Sequence, residues 1–205
     1  QDLTINCGLG KIAGKDLAPP PVAAWPPCAG HSAAPSTGAG GASSVHLGRK
    51  FGFAEATTDT AALLSDPRAD AVVISTMDRQ HVGPAVACLN MGYDMFLEKP
   101  MAMSLAECDE ISAATEQRGL VLQLGFMRRF DPEFAAAAER IHGGEIGEPM
   151  IIKSLTHGPG LPPAWANDLK TSNGMLAEVN SHDWDCVRWL MGSDYQRVYT
   201  EVANF

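Results

Sequence analysis

The sequence predicts an α/β fold, and three observations carry that prediction. Short apolar runs alternate with helical patterns from residue 44 onward, the run "DAVVIST" (70 to 76) is rich in β-branched residues, and helix start and stop signals separate the runs. Taken in order, "INCGLGKIAG" reads as an apolar strand entering a glycine turn, and "DAVVIST" as a buried strand. Gly83 to Met91 reads as a helix and "DMFLEK" as the next strand. Ser104 and Glu107 form a capping-box pair opening the helix "SLAECDEISAATEQRG", which Gly119 stops. "LVLQLGF" (120 to 126) is another strand, after which Asp131 caps and Pro132 opens "PEFAAAAERIHGG". "PMIIKSLTH" then predicts a strand, Met175 to Met191 one last helix, and "RVYTEVAN" a final strand.

Composition bounds the function. A chain of 205 residues with 45% hydrophobic content can bury one core, or one domain and part of another. A formal charge of −9 and no basic patch argue against nucleic acid or an anionic membrane as partner, which leaves small molecules. The five cysteines are odd in number, scattered and without C-x-x-C spacing, so they read as reduced thiols of a cytoplasmic protein. No apolar run approaches the roughly 18 residues of a membrane span. The N-terminus carries no signal-peptide pattern, and residue 1 is Gln rather than Met, so the true start is expected to be missing.

The turn Gly8-x-Gly10-x-x-Ala13-Gly14 sits behind a strand and ahead of further alternation, where a dinucleotide-binding unit needs it. Glycines let the backbone approach a pyrophosphate, whose charge the next helix N-terminus favours. An ordinary glycine turn is the other reading. A dinucleotide fold then continues through a helix to a strand ending in an acid, about 20 residues on, that grips the ribose. From Leu17 to Gly48 there is no Asp, Glu, Lys or Arg, and six of the 14 prolines fall there, so this stretch reads as an irregular Pro/Ala/Gly-rich loop. A family insertion, a linker, or a stretch read in the wrong frame of a GC-rich gene would each explain it. The third is expected, because order is clear on both sides and absent between. Neither an acid for the ribose nor an arginine for a phosphate can be assigned in it.

Two places carry chemistry. "LEKP" sets Glu98, Lys99 and Pro100 at the end of an apolar strand, either as a surface turn or as the working end of a site. Further on, Glu178, His182 and Asp185 fall at i, i+4 and i+7, which puts them on one stripe of the predicted helix. A histidine one turn from a carboxylate suits general acid/base work; a solvated polar face is the plainer alternative. A metal site is the third, but no second His cluster or Cys pair completes a shell, so no metal is expected. Asp183 lies nearer the apolar side and receives no role. His157, at a predicted strand end, and Arg128 and Arg129, after "LQLGFM", fit either a polar pocket or the surface.

In order, "GLGKIAG", "AVVISTMDRQH", "LEKP", "LGFMRRFDPEF", "IGEP" and "NGMLAEVNSHDWDCVRWLMG" resemble the Gfo/Idh/MocA group, the family of glucose-fructose oxidoreductase and inositol dehydrogenase. The resemblance covers residues 3 to 16 and about 44 to 205. E-K-P with a downstream carboxylate-x-x-x-His is its specific combination, and "GFMRRFDP" is most similar to the inositol dehydrogenase branch.

The resemblance implies a Rossmann-type NAD(P)-binding domain over 1–122. A partial substrate and oligomerisation domain with a mostly antiparallel sheet would follow over 123–205. It implies NAD or NADP as cofactor, a polyol or sugar as substrate, and a homo-oligomer for a full-length relative. Lys99 would bind the substrate hydroxyl near the nicotinamide, and His182 would be the general base with Glu178 as its acid partner, where relatives often carry Asp. Gly8, Gly10 and Ala13 would meet the pyrophosphate, Thr76 and His81 would line the nicotinamide side, Glu98 would seat the ribose, and His157 and Arg128 would lie near the substrate. Only one strand follows the catalytic helix, so a truncated chain is expected, with an open sheet edge. A catalytically inactive remnant or binding protein on the same fold, and a metal-dependent hydrolase or lyase using Glu178, His182 and Asp185, are the rival readings.

Overall fold

The computed structural model describes residues 3–6, 32–33, 64–65, 71–157 and 163–201. They divide between two compact units, one of Gln1–Gly125 with Pro163–Glu178, the other of Phe126–Pro162 with Val179–Phe205. The segment Pro163–Glu178 packs with the first unit.

The first unit is built on one sheet, ordered β2-β1-β3-β4-β5. Its strands are β1 (Leu3–Asn6), β2 (Ser32–Ala33), β3 (Ala71–Ile74), β4 (Asp94–Leu97) and β5 (Leu122–Leu124). β3, β4 and β5 are parallel, while β1 runs antiparallel to both β3 and β2. Helix α1 (Val82–Met91) connects β3 to β4, and α2 (Leu105–Arg118) connects β4 to β5, the crossovers that parallel pairing requires. β3 is buried at three of its four residues and β4 at Met95 and Leu97, which explains their apolar character. Val72, Ile74, Leu89, Leu97 and Ile111 form the fully buried heart of the core.

Local chemistry sets the helix ends. Ser104 Oγ accepts from Glu107 N at 3.3 Å, and the Glu107 carboxylate accepts from Ser104 Oγ and from Met103 N, so the capping box forms as predicted. Gly92 and Gly119 close α1 and α2 with φ of 84° and 64°, where a side chain would be strained. Three short helices complete this unit: α4 (Ala164–Asn167), α5 (Leu169–Ser172) and α6 (Met175–Glu178).

The second unit contains α3 (Pro132–His142), a 3-10 turn at Met127–Phe130 and α7 (Ser181–Met191). Asp131 caps α3 by accepting from Glu133 N and Phe134 N, with Pro132 in its first turn. Three expectations are corrected here. Residues 149–157 form no strand, and neither do 197–201 of "RVYTEVAN", whose remainder lies outside the described residues. A strand exists only where its backbone finds a ladder partner, and among the described residues of this unit none pairs with another. The mostly antiparallel sheet predicted for the second domain is therefore not seen among them.

The third correction concerns the last helix. It is not continuous from Met175 to Met191, because Val179 and Asn180 form a turn between α6 and α7. The Glu178 carbonyl oxygen, which an unbroken helix would use as an i−4 acceptor, accepts from the Lys99 ammonium at 2.6 Å. The Asn180 carbonyl then starts the new helix by accepting from Asp183 N and Trp184 N.

Candidate functional site

In the first unit, chemistry gathers at the carboxyl ends of β3 and β4. Parallel strands leave their last residues there, and ligands of open α/β sheets bind at that edge. Lys99 follows β4 across Glu98, and the Lys99–Pro100 bond is cis. Its Nζ lies 2.9 Å from Glu178 Oε1, with the two side chains 14% and 15% exposed. The contact is a charge-assisted hydrogen bond with both partners largely shielded from water.

Asp78 adds a second carboxylate that the sequence reading had missed. It opens the 3-10 turn Asp78–Gln80 after β3 and is only 6% exposed. Burial, and then the Glu178 carboxylate beside it, push its carboxyl up from 3.8 to about 6, against the pull of the Lys99 ammonium. Asp78 Oδ2 and Glu178 Oε2 are buried without a hydrogen-bond donor among the described residues, as is Thr76 Oγ1. Sequence gave one usable signal for Asp78, an acid two residues past the polar end of an apolar strand, but its partners are distant in the chain.

His81 is fully buried, with Nδ1 2.7 Å from the Pro100 carbonyl oxygen and Nε2 3.0 Å from that of Thr76. It ties the turn after β4 to the end of β3. That placement corrects the expectation that its ring lines a ligand surface, since a side chain without exposure presents none. Glu98 is half-buried, accepts from Lys99 N at 3.3 Å and lies against Gly125, where an added Cβ would stand 2.7 Å from Glu98 Oε2. Gly8, Gly10 and Ala13, and the stretch 17–48, lie outside the described residues.

In the second unit, His182 stands in the first turn of α7, its ring edge-on to Phe126 at 6.3 Å. The helix break means that Glu178 does not share a stripe with His182 and Asp185. Asp185 instead takes both Nε and Nη2 of Arg129, at 2.9 and 2.7 Å. Asp183, left without a role in the sequence, organises this unit. It is 7% exposed and accepts from Arg128 Nη1 at 2.7 Å, Ser154 Oγ at 2.5 Å, Thr156 Oγ1 at 2.8 Å and Asn180 Nδ2 at 3.3 Å. Burial alone would raise its carboxyl, but the bonds from Arg128, Ser154 and Thr156 prevail and lower it to about 2. Arg128, expected near a substrate, is thus held by Asp183 and lies over the Phe134 ring at 5.6 Å. His157 is exposed in the segment 151–157 that forms no strand. An acid on the apolar side of an amphipathic helix was the signal for Asp183, and Arg128 was its counterpart.

Among the described residues no group of three or more His, Cys, Asp or Glu could hold a metal ion, and no helix is long and apolar enough to cross a membrane.

Comparison with known proteins gives two family matches. Residues 7–126 match the model described as an oxidoreductase family with an NAD-binding Rossmann fold, and residues 134–205 match the GFO/IDH/MocA C-terminal domain. The chain is 37% identical over 152 residues to scyllo-inositol 2-dehydrogenase (NAD(+)) of Bacillus subtilis, covering 74% of this chain and 44% of that protein. It is 30% identical to myo-inositol 2-dehydrogenase of Thermotoga maritima, covering 74% and 45%. Among solved structures, a levoglucosan dehydrogenase in complex with NADH and levoglucosan superposes with a TM-score of 0.66 at 26% identity, over 75% of this chain and 43% of that one. The chain thus spans less than half the length of these relatives.

Proposed function

We propose that this chain, which belongs to the Gfo/Idh/MocA oxidoreductase family, carries the Lys99 site of a dehydrogenase that moves hydride between a nicotinamide cofactor, NAD or NADP, and a secondary alcohol of a polyol or sugar. One observation carries the reading: a shielded lysine, fixed on Glu178 by its carboxylate and its carbonyl, at the carboxyl end of a parallel strand. A cation there suits hydride loss, because alkoxide charge develops on the oxygen as the carbon gives up hydride. The inositol dehydrogenases and the levoglucosan complex with NADH support polyols and sugars as the substrate class.

The residues at this edge fit a nicotinamide cofactor. Thr76 leaves a buried hydroxyl without a described partner at the end of β3, and Glu98 places a half-buried carboxylate at the end of β4. When bound, the cofactor supplies the hydride acceptor. Gly8, Gly10 and Ala13 would approach its pyrophosphate, and Glu98 its ribose. Lys99 donates a hydrogen bond to the hydroxyl oxygen and stabilises its developing charge. His182, in the second unit, is the group that the family resemblance implies as general base for the hydroxyl proton. Glu178 holds the Lys99 ammonium in place.

The test is a titration of the chain with NADH and with NADPH, followed by nicotinamide fluorescence and then by turnover on inositols and sugars. Saturable binding and polyol-dependent reduction are expected. A folded chain that binds neither dinucleotide would refute the reading and leave a binding protein on an inherited fold.

A further inference from the structure

We propose that Asp78 is a positioning residue of the Lys99 site, carrying one proton shared with Glu178, so that its ionisation sets how the charge of the site answers pH. The proposal rests on the dehydrogenase reading for its catalytic consequence, though the shared proton stands without it.

The argument begins with hydrogen-bond arithmetic. Two ionised carboxylates can only accept, yet Asp78 Oδ2 and Glu178 Oε2 are both buried with no donor among the described residues. Among the described residues one ammonium faces them, and its bonds run to Glu178 Oε1 and the Glu178 carbonyl oxygen. With both acids ionised the cluster carries one net negative charge in a largely desolvated place, which is costly. A single proton on Asp78 removes that charge and turns Asp78 into a donor for the Glu178 oxygen left over. Glu178 then keeps its contact with Lys99.

The surroundings leave Asp78 few other influences. Among the described residues, the charged groups acting on it are Glu178, from α6, and Lys99, from the turn after β4. Arg79 on its own turn and Lys170 on α5 are exposed, α1 carries no charged residue, and His81 is held on two backbone carbonyls. The upward displacement of the Asp78 carboxyl to about 6 agrees in direction with a shared proton. As pH rises through that value Asp78 becomes a second anion competing for the ammonium, and Lys99 is drawn away from any bound hydroxyl.

The test is carbon-13 NMR of the chain labelled at its Asp and Glu carboxyls, titrated through the acid and neutral range. One Asp carboxyl is expected to titrate at about 6 rather than at 3.8, and that signal should be missing from Asp78→Asn. In Lys99→Gln the midpoint should move higher, because the ammonium that favours the anion is gone. Ordinary titration of every Asp carboxyl, or persistence of the displaced midpoint in Asp78→Asn, would overturn the proposal. The pH profile of kcat should bend with the same midpoint in the wild-type chain and lose that bend in Asp78→Asn, which should retain more turnover than Asp78→Ala because its amide still donates to Glu178. A displaced carboxyl in a chain without nicotinamide-linked turnover would keep the shared proton and refute the dehydrogenase reading. Turnover without a displaced carboxyl would refute the shared proton alone.

Discussion

Replacing Asp183 by Asn should destabilise the second unit by about 2 kcal/mol at neutral pH, and that cost should fade as the solution is acidified. The Asp183 carboxyl is lowered from 3.8 to about 2 in the folded chain. Each pH unit of difference is worth about 1.4 kcal/mol, so the folded state favours the anion by about 2 kcal/mol. The sign follows from a depressed value: the contribution is complete above the unfolded value of 3.8 and is lost as pH falls through about 2. Asn keeps the shape and part of the hydrogen bonding but removes the charge that faces Arg128. The two side chains are 18% and 10% exposed, so solvent screens the pair only in part and the figure is an upper bound. The assay is urea unfolding followed by the fluorescence of Trp184 and Trp189 on α7, at neutral pH and at progressively lower pH. The wild-type and Asp183→Asn chains should differ most at neutral pH and converge in acid. Equal stability at neutral pH, or a difference that grows on acidification, would refute the claim that the Asp183 anion anchors this unit.

Three further outcomes are expected. Lys99→Ala should lower nicotinamide-linked turnover by roughly a hundredfold or more, the usual loss for a donor that stabilises developing oxyanion charge; steady-state kinetics with near-normal kcat would remove Lys99 from that role. Gly125→Ala places a Cβ 2.7 Å from Glu98 Oε2 and must displace that carboxylate, so NADH should bind more weakly in a fluorescence titration; unchanged affinity would separate Glu98 from the ribose. Ser104→Ala removes the oxygen that accepts from Glu107 N and should cost about 1 kcal/mol in chemical denaturation of the first unit, with no loss meaning that the capping box is dispensable.

What could be read from the sequence was what short stretches decide by themselves. The Ser104–Glu107 box, the Asp131–Pro132 opening of α3 and the buried runs of β3 and β4 each depend on neighbours within a few residues, and each is where the sequence placed it. "PMIIKSLTH" has the composition of a strand, but a ladder partner must come from elsewhere in the fold, and composition says nothing of whether one arrives. Asp78 and Asp183 were hidden for the same reason: apart from Asn180 beside Asp183, the groups that set their charge are Lys99, Glu178, Arg128, Ser154 and Thr156, all distant in sequence.

The break between α6 and α7 shows what such distant contacts do to a local pattern. Residues 175 to 191 have an unbroken helical period, and nothing within them requires a turn at Val179 and Asn180. The turn coincides with a lysine 79 residues away in sequence that takes the Glu178 carbonyl and carboxylate together. A continuous helix would have tied the direction of Glu178 to that of His182. With the helix broken, Glu178 belongs to the first unit, where it fixes a cation, and His182 to the second, where it packs edge-on to Phe126. An acid and a histidine four residues apart, which in a helix read as one dyad, are therefore better understood as two groups with separate supports. Substitutions at Asp78 should then disturb the Lys99 cation and leave the second unit's stability alone, whereas substitutions at Asp183 should do the reverse.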